Sequence, residues 1–200
     1  MPAINPPRTD SVSSLIGHGL AGEDIDVPPV VRAADAVLDQ GEALLRLLSI
    51  DDFLRRHPHA FNASIGGHYR HCLDHFLSLV NARDIGCIDY DGRERNPRIE
   101  TDPVHASEVT RDLRTALQCL DRDDLATPIP VRCSVSYDVA DEALLASTLG
   151  RELAYAITHA IHHFALIAFL ARPSGIPLPD RFGLAPSTAK HLAGRPPNTP

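Results

Sequence analysis

Six of the eleven histidines stand in two short stretches: His68, His71 and His75, then His159, His162 and His163. Imidazole is both the commonest metal ligand and the side chain that titrates nearest neutrality, so such clusters point to metal or proton chemistry. His159 and His163 are four residues apart. On a helix that puts them about 40° apart around the axis and roughly 6 Å apart along it, on one face. Two imidazoles so placed can hold one divalent ion. An apolar stripe of Leu149, Leu153, Ile157, Ala160, Ile161, Phe164 and Ala168 runs beside them, so the pair should face the core. In the first stretch His68 and His75 lie about 20° apart around a helix, with His71 about 60° from His68. All three point broadly the same way. His68 and His75 are about 10.5 Å apart along a straight helix and cannot both bind one ion. One of them, or the His71/His75 pair, can join His159 and His163. The plain alternative is a set of core histidines bonded to backbone carbonyls.

Four helices are needed to position these residues. Proline at 28 and 29 opens the first, whose apolar spacing runs over 30–56 with a break near 49–51. Asn62 or Ser64 can cap the second, which runs to about residue 83 and closes at Gly86. Gly66 and Gly67 in its first turn suit close packing on a neighbour, or room beside the site. Asp102-Pro103 starts the third, over 103–122. The fourth covers 147–170. Residues 129–137 alternate apolar and polar side chains and predict a strand, and 143–147 a return strand, with helix as the alternative for this second half.

Residues 85–103 make a polar connection longer than helix–helix loops usually are. Asp89, Tyr90, Asp91, Arg93 and Arg95 give it dense hydrogen-bonding capacity, while Tyr90 and Ile99 could pack it as a crossover. This loop and the 173–188 tail are expected to cover the end of the bundle near the histidines, with Phe182 and Leu184 anchoring the tail. Residues 1–28 read as a mobile arm, 29–188 as one domain with a covering segment, and 189–200 as a disordered tail.

Composition narrows the function classes. A net charge of −7, with Lys190 the only lysine, gives no electrostatic case for nucleic acid or anionic membrane. Cys72, Cys87, Cys119 and Cys133 are scattered without C-x-x-C spacing and read as reduced thiols in a cytoplasmic protein. The first thirty residues lack a signal-peptide pattern. The apolar run at 160–170 is interrupted by His162 and His163 and reads as too short to span a bilayer.

Apolar-striped helices with a long crossover after the second predict an all-α fold, a four-helix bundle with a small hairpin between helices three and four. In such bundles metal sites are built from side chains on facing helices. SIGGHYRHCLDHF, followed some ninety residues later by ITHAIHHFALI, resembles the DinB/YfiT-like superfamily of metal-binding bundles. That pattern is one histidine near the start of the second helix and H-x-x-H-H on the last, and the resemblance covers roughly residues 30–172. It implies His68, His159 and His163 as ligands, with His71, His75 and His162 as the runners-up. It also implies a divalent ion (zinc, nickel or iron) and a low-molecular-weight thiol as co-substrate, since characterised relatives include metal-dependent S-transferases and a thiol-using isomerase.

The leading expectation is therefore a metal-dependent enzyme acting on a small-molecule substrate, with a thiol or water activated by the ion. Three neutral imidazoles leave the site at 2+, which favours an anion in an open position. Glu152, two turns before His159, could serve as a base or accept a hydrogen bond, or be an exposed first-turn carboxylate. Asp74 could orient a ligand histidine, or simply be solvated. Two other classes stay open: a non-catalytic metal-binding or stress-associated protein, and a helical homo-oligomer, for example a homodimer, with structural histidines.

Overall fold

The computed structural model describes residues 27–137 and 142–194, with only the backbone of Glu142. Among these residues the chain is mostly helical, with one small sheet. The first helix, α1 (Pro29–Leu45), starts at the paired prolines. It ends at Leu45, and the break expected near 49–51 falls just before Ile50: Ser49 is extended and its hydroxyl accepts from the Asp52 amide (3.1 Å), starting the separate helix α2 (Ile50–Leu54). Ser64 is the cap of α3 (Ile65–Ile85), accepting from the Gly67 amide at 3.0 Å, and Gly86 closes it at φ 76°.

The connection after α3 is structured. It holds the strand β1 (Ile88–Asp89) and the short helix α4 (Pro97–Thr101) before α5 (Pro103–Gln118) begins on the Asp102 cap. Then come α6 (Arg122–Ala126), the hairpin of β2 (Pro128–Ser134) and β3 (Glu142–Thr148), and α7 (Leu149–Ala171). The hairpin is the one expected, and its second half is strand. β1 adds to it in parallel, pairing Ile88 with Val131, so the sheet order is β1-β2-β3. A last helix, α8 (Pro186–Ala193), occupies part of the stretch expected to be disordered; proline at its first position and the helix formers Ala189, Lys190 and Leu192 account for it. Of the arm expected at 1–28, residues 1–26 lie outside the described residues, as do the last residues, 195–200, while Pro28 is buried.

Helix α1 packs on α5 and α7, and α3 packs on α5 and α7, around one apolar core. Close approach at its centre depends on Gly41, where a Cβ would stand 2.9 Å from the Tyr69 hydroxyl and 3.1 Å from the Phe164 ring. Tyr69, buried there, donates its hydroxyl to Thr110 Oγ1 (2.9 Å), which in turn donates to the Ala106 carbonyl (2.7 Å). On the outside, Arg114 of α5 joins Asp35, Asp39 and Glu42 of α1 at 2.8, 2.8 and 3.1 Å. All four cysteines are free thiols. By length and composition the 149–174 segment could cross a membrane, unlike the shorter run expected, yet 44% of its most apolar window is buried against the rest of the chain.

Candidate metal centre

The histidines meet across the seam between α3 and α7. Rising numbers on α3 face falling numbers on α7, so the two helices run antiparallel there. His68 Nδ1 stands 3.0 Å from His163 Nδ1, and His71 Nε2 stands 2.9 Å from His159 Nε2. The His71 ring also lies edge-on to His163, at 4.6 Å between centroids, and His75 lies 4.1 Å from His159. One nitrogen from each of His71, His159 and His163 falls within 4.8 Å of the other two, close enough for the three to hold a metal ion. Nitrogens bound to one ion at about 2.0–2.1 Å stand roughly 3 Å apart. The His71–His159 pair already has that separation, and the His163 nitrogen lies within 4.8 Å of both.

Burial tunes these rings. His71, His159 and His163 are half-buried, and loss of hydration pulls His71 and His163 down to about 3 and His159 to about 4, with repulsion between neighbouring rings adding to it. His68 and His75 are lowered as well, chiefly by burial. At neutral pH the cluster is therefore uncharged, which is the state that ligates. Half-buried neutral imidazoles, two already at ligand spacing, fit a divalent ion.

The sequence-predicted residues divide as follows. His159 and His163 belong to the closest group. In the group whose nitrogens all lie within 4.8 Å of one another, the histidine contributed by α3 is the runner-up His71. His68 instead abuts His163. His75 is buried, and its Nδ1 donates to the His71 carbonyl at 2.9 Å. His162 is exposed, and its ring centre lies 5.3 Å from that of His163.

Neither carboxylate is solvated. Glu152 is buried and accepts from the Tyr90 hydroxyl (2.9 Å) and Ser147 Oγ (2.6 Å); the Tyr90 ring in turn stacks on His75. Burial, with Glu152 beside it, raises the Tyr90 hydroxyl well above the ordinary tyrosine value. Asp74 has a fully buried side chain facing Arg93, whose Nε is 3.5 Å from Oδ2. Among the described residues neither Asp74 oxygen has a hydrogen-bond partner, so it does not orient a histidine. Burial outweighs the nearby arginines and raises its carboxyl above the usual range.

Three further residues complete the walls. Tyr155 stacks on His159 at 5.6 Å, one turn earlier on the same face, and helical spacing could have found it. Tyr90 and Arg93 come from the connection after α3. Arg93 donates to the Tyr90 carbonyl and, through Nη2, to His71 Nδ1 at 2.9 Å. No local pattern marks Arg93 for this place, since the pairing of β1 with β2 sets where the loop runs. The loop thus borders the histidines as expected. The tail, by contrast, is anchored where Phe182 stacks on Phe164 at 4.5 Å, and Gly183 lies against the α7 backbone at Ala165.

No protein-family profile matches the chain, and no solved structure does. A protein of Rhizopus delemar named FK506-binding protein 5 is similar to it, 33% identical over 105 residues. That stretch is 52% of this chain and 27% of the relative, so the match spans about a quarter of that protein's length.

Proposed function

We propose that the chain is a divalent-metal-binding protein of the DinB/YfiT-like type, with α1, α3, α5 and α7 forming its four-helix bundle and His71, His159 and His163 holding the ion. The observation that carries this reading is the convergence of three neutral imidazoles from two facing helices, with nitrogens within 4.8 Å. The sequence resemblance supports the same helices and the same H-x-x-H-H element. An ion held by three histidines supplies a Lewis acid that lowers the pKa of a thiol or water, which suits a small-molecule S-transferase or isomerase. The chain's own residues then set what can approach: Tyr155 and Tyr90 wall the cluster, and Arg93 places a permanent positive charge beside it.

A second reading, a non-catalytic metal binder, is favoured by crowding. His68 and His75 stand against the group and could fill positions that a substrate would need. The homo-oligomer reading is weaker, because the rings already find partners within one chain.

Metal content, measured on protein purified without an immobilised-metal column, tests the central claim. One divalent ion per chain is the expected result, and none after incubation with zinc, nickel and ferrous iron in turn would sink it. Cobalt-loaded protein then separates the two metal readings. A visible spectrum that changes on adding a small thiol indicates an open position, and an unchanged one indicates a filled sphere.

A further inference from the structure

We propose that Arg93 gates this site: it holds His71 in the tautomer that cannot ligate through Nε2, and metal binding requires it to leave His71 for Asp74. The inference rests on the metal reading above and concerns how that site is filled.

A guanidinium has five N–H donors and no acceptor. Its 2.9 Å contact with His71 Nδ1 therefore needs the lone pair on Nδ1. In a neutral ring the proton is then on Nε2, the nitrogen that points at His159 Nε2 from 2.9 Å. A protonated ring nitrogen has no lone pair to give a metal, so His71 sits at the site with its ligating atom blocked. His75 has the opposite polarity. A backbone carbonyl can only accept, so the 2.9 Å contact of His75 Nδ1 with the His71 carbonyl puts the proton on Nδ1 and leaves Nε2 free. A ligand histidine normally has that arrangement, its second nitrogen donating to an oxygen.

Arg93 has a second berth. The Asp74 side chain is fully buried and only loosely paired with Arg93, whose Nε is 3.5 Å from Oδ2, with the charge of Arg70 also nearby; among the described residues no hydrogen bond of good geometry reaches either oxygen or that Nε. Buried carboxylates are rarely left so, and a guanidinium can satisfy one with two parallel hydrogen bonds. A small rotation of Arg93 completes that pair and frees His71 Nδ1. The His71 proton then moves from Nε2 to Nδ1 by way of solvent, with no net gain or loss, and Nε2 faces the other two histidines with its lone pair. Arg93 belongs to the connection between β1 and α4, so filling the site and settling this loop are one event.

The test compares zinc affinity, by competition with a chelator, in Arg93→Met, Asp74→Asn and the double variant, with the ring nitrogens of His71 followed by NMR. Changes around metal ligands typically move affinity by about ten- to a hundredfold. Arg93→Met should bind zinc about tenfold tighter than wild type. Asp74→Asn removes the second berth and should bind about tenfold weaker. The double variant should match Arg93→Met, because Asp74 acts through Arg93. In metal-free wild type His71 should carry its proton on Nε2, and on Nδ1 after zinc. Wild-type zinc binding with unchanged affinity in Arg93→Met, or an apo His71 protonated on Nδ1, overturns the gate alone. Absence of zinc binding in every form overturns the gate and the metal reading together. Should Arg93→Met fail to fold, Asp74→Asn decides: affinity equal to or above wild type overturns the gate.

Discussion

Imidazoles packed a few ångströms apart and half out of water resist protonation, and this gives the residue scale two measurable consequences. The first concerns ligands. If His71, His159 and His163 are the only protein ligands, alanine at any of them leaves a two-point hold and should abolish stoichiometric metal binding, whereas alanine at the exposed His162 should leave one ion per chain; elemental analysis of the four variants checks it, and an ion retained without one of the three would place His68 or His75 in the sphere. The second is a pH dependence of the metal-free protein. His71 and His163 are held to about 3 and His159 to about 4 in the folded chain, against about 6.5 when unfolded. Between those values the unfolded chain binds more protons, so stability rises with pH there. It should be level above about pH 7, fall as pH drops through 6.5, and flatten below about 3. Urea midpoints from pH 7 to 4 would show the fall, and a variant with glutamine at all three positions should show much less of it. An equal fall in that variant would place the proton uptake elsewhere. The two clusters were legible from spacing alone, but the third member was not. Helical phase puts 68, 71 and 75 on one face, and only the crossing point of α7 selects among them.

At the scale of elements, what could be read depended on how local the cause was. Ser64, Gly86 and Asp102 mark helix ends through their own side chains or backbone, and those boundaries fell where the sequence placed them. The two-residue β1 has no periodicity of its own and exists because β2 lies beside it, so the sequence alone marks only a loop there. The adjacent glycines of α3 show the same contrast in packing. A Cβ on Gly66 would stand 2.2 Å from the Glu100 carbonyl oxygen and 2.8 Å from the Phe53 ring, both parts of the neighbouring helices. On Gly67 the nearest atom would be Ser64 Oγ at 3.2 Å. Gly66→Ala should therefore cost about 1–3 kcal/mol, because the α4 backbone must move. Gly67→Ala should change stability by less than about 1 kcal/mol, since a gain in helix propensity of about that size offsets the mild crowding. Urea denaturation of the two variants tests the pair. Equal losses would mean that α4 does not press on α3 as described.

For the whole molecule, the location of the site matters more than its ligand count. The ion would bridge α3 and α7, helices separated by residues 86–148, a stretch that includes the hairpin, so binding should report on global unfolding and not on one helix. A ligand that binds only the native state stabilises it by RT ln(1 + [L]/Kd), about 2.7 kcal/mol when free metal is a hundred times Kd. In a domain of this size each kcal/mol moves the melting temperature by roughly 2–4 °C. Zinc or nickel at that excess should thus raise the wild-type midpoint by about 5–11 °C. His162→Ala should show the same rise, because its ring lies outside the group. His159→Ala should show none, although its melting without metal stays near wild type, since the ring it loses is only half-buried. Calorimetry with and without metal, read beside bound metal per chain, separates a ligand from a packing residue. A His159→Ala protein that keeps both the ion and the thermal shift would show that His159 is a packing residue of the seam between α3 and α7 and not a ligand.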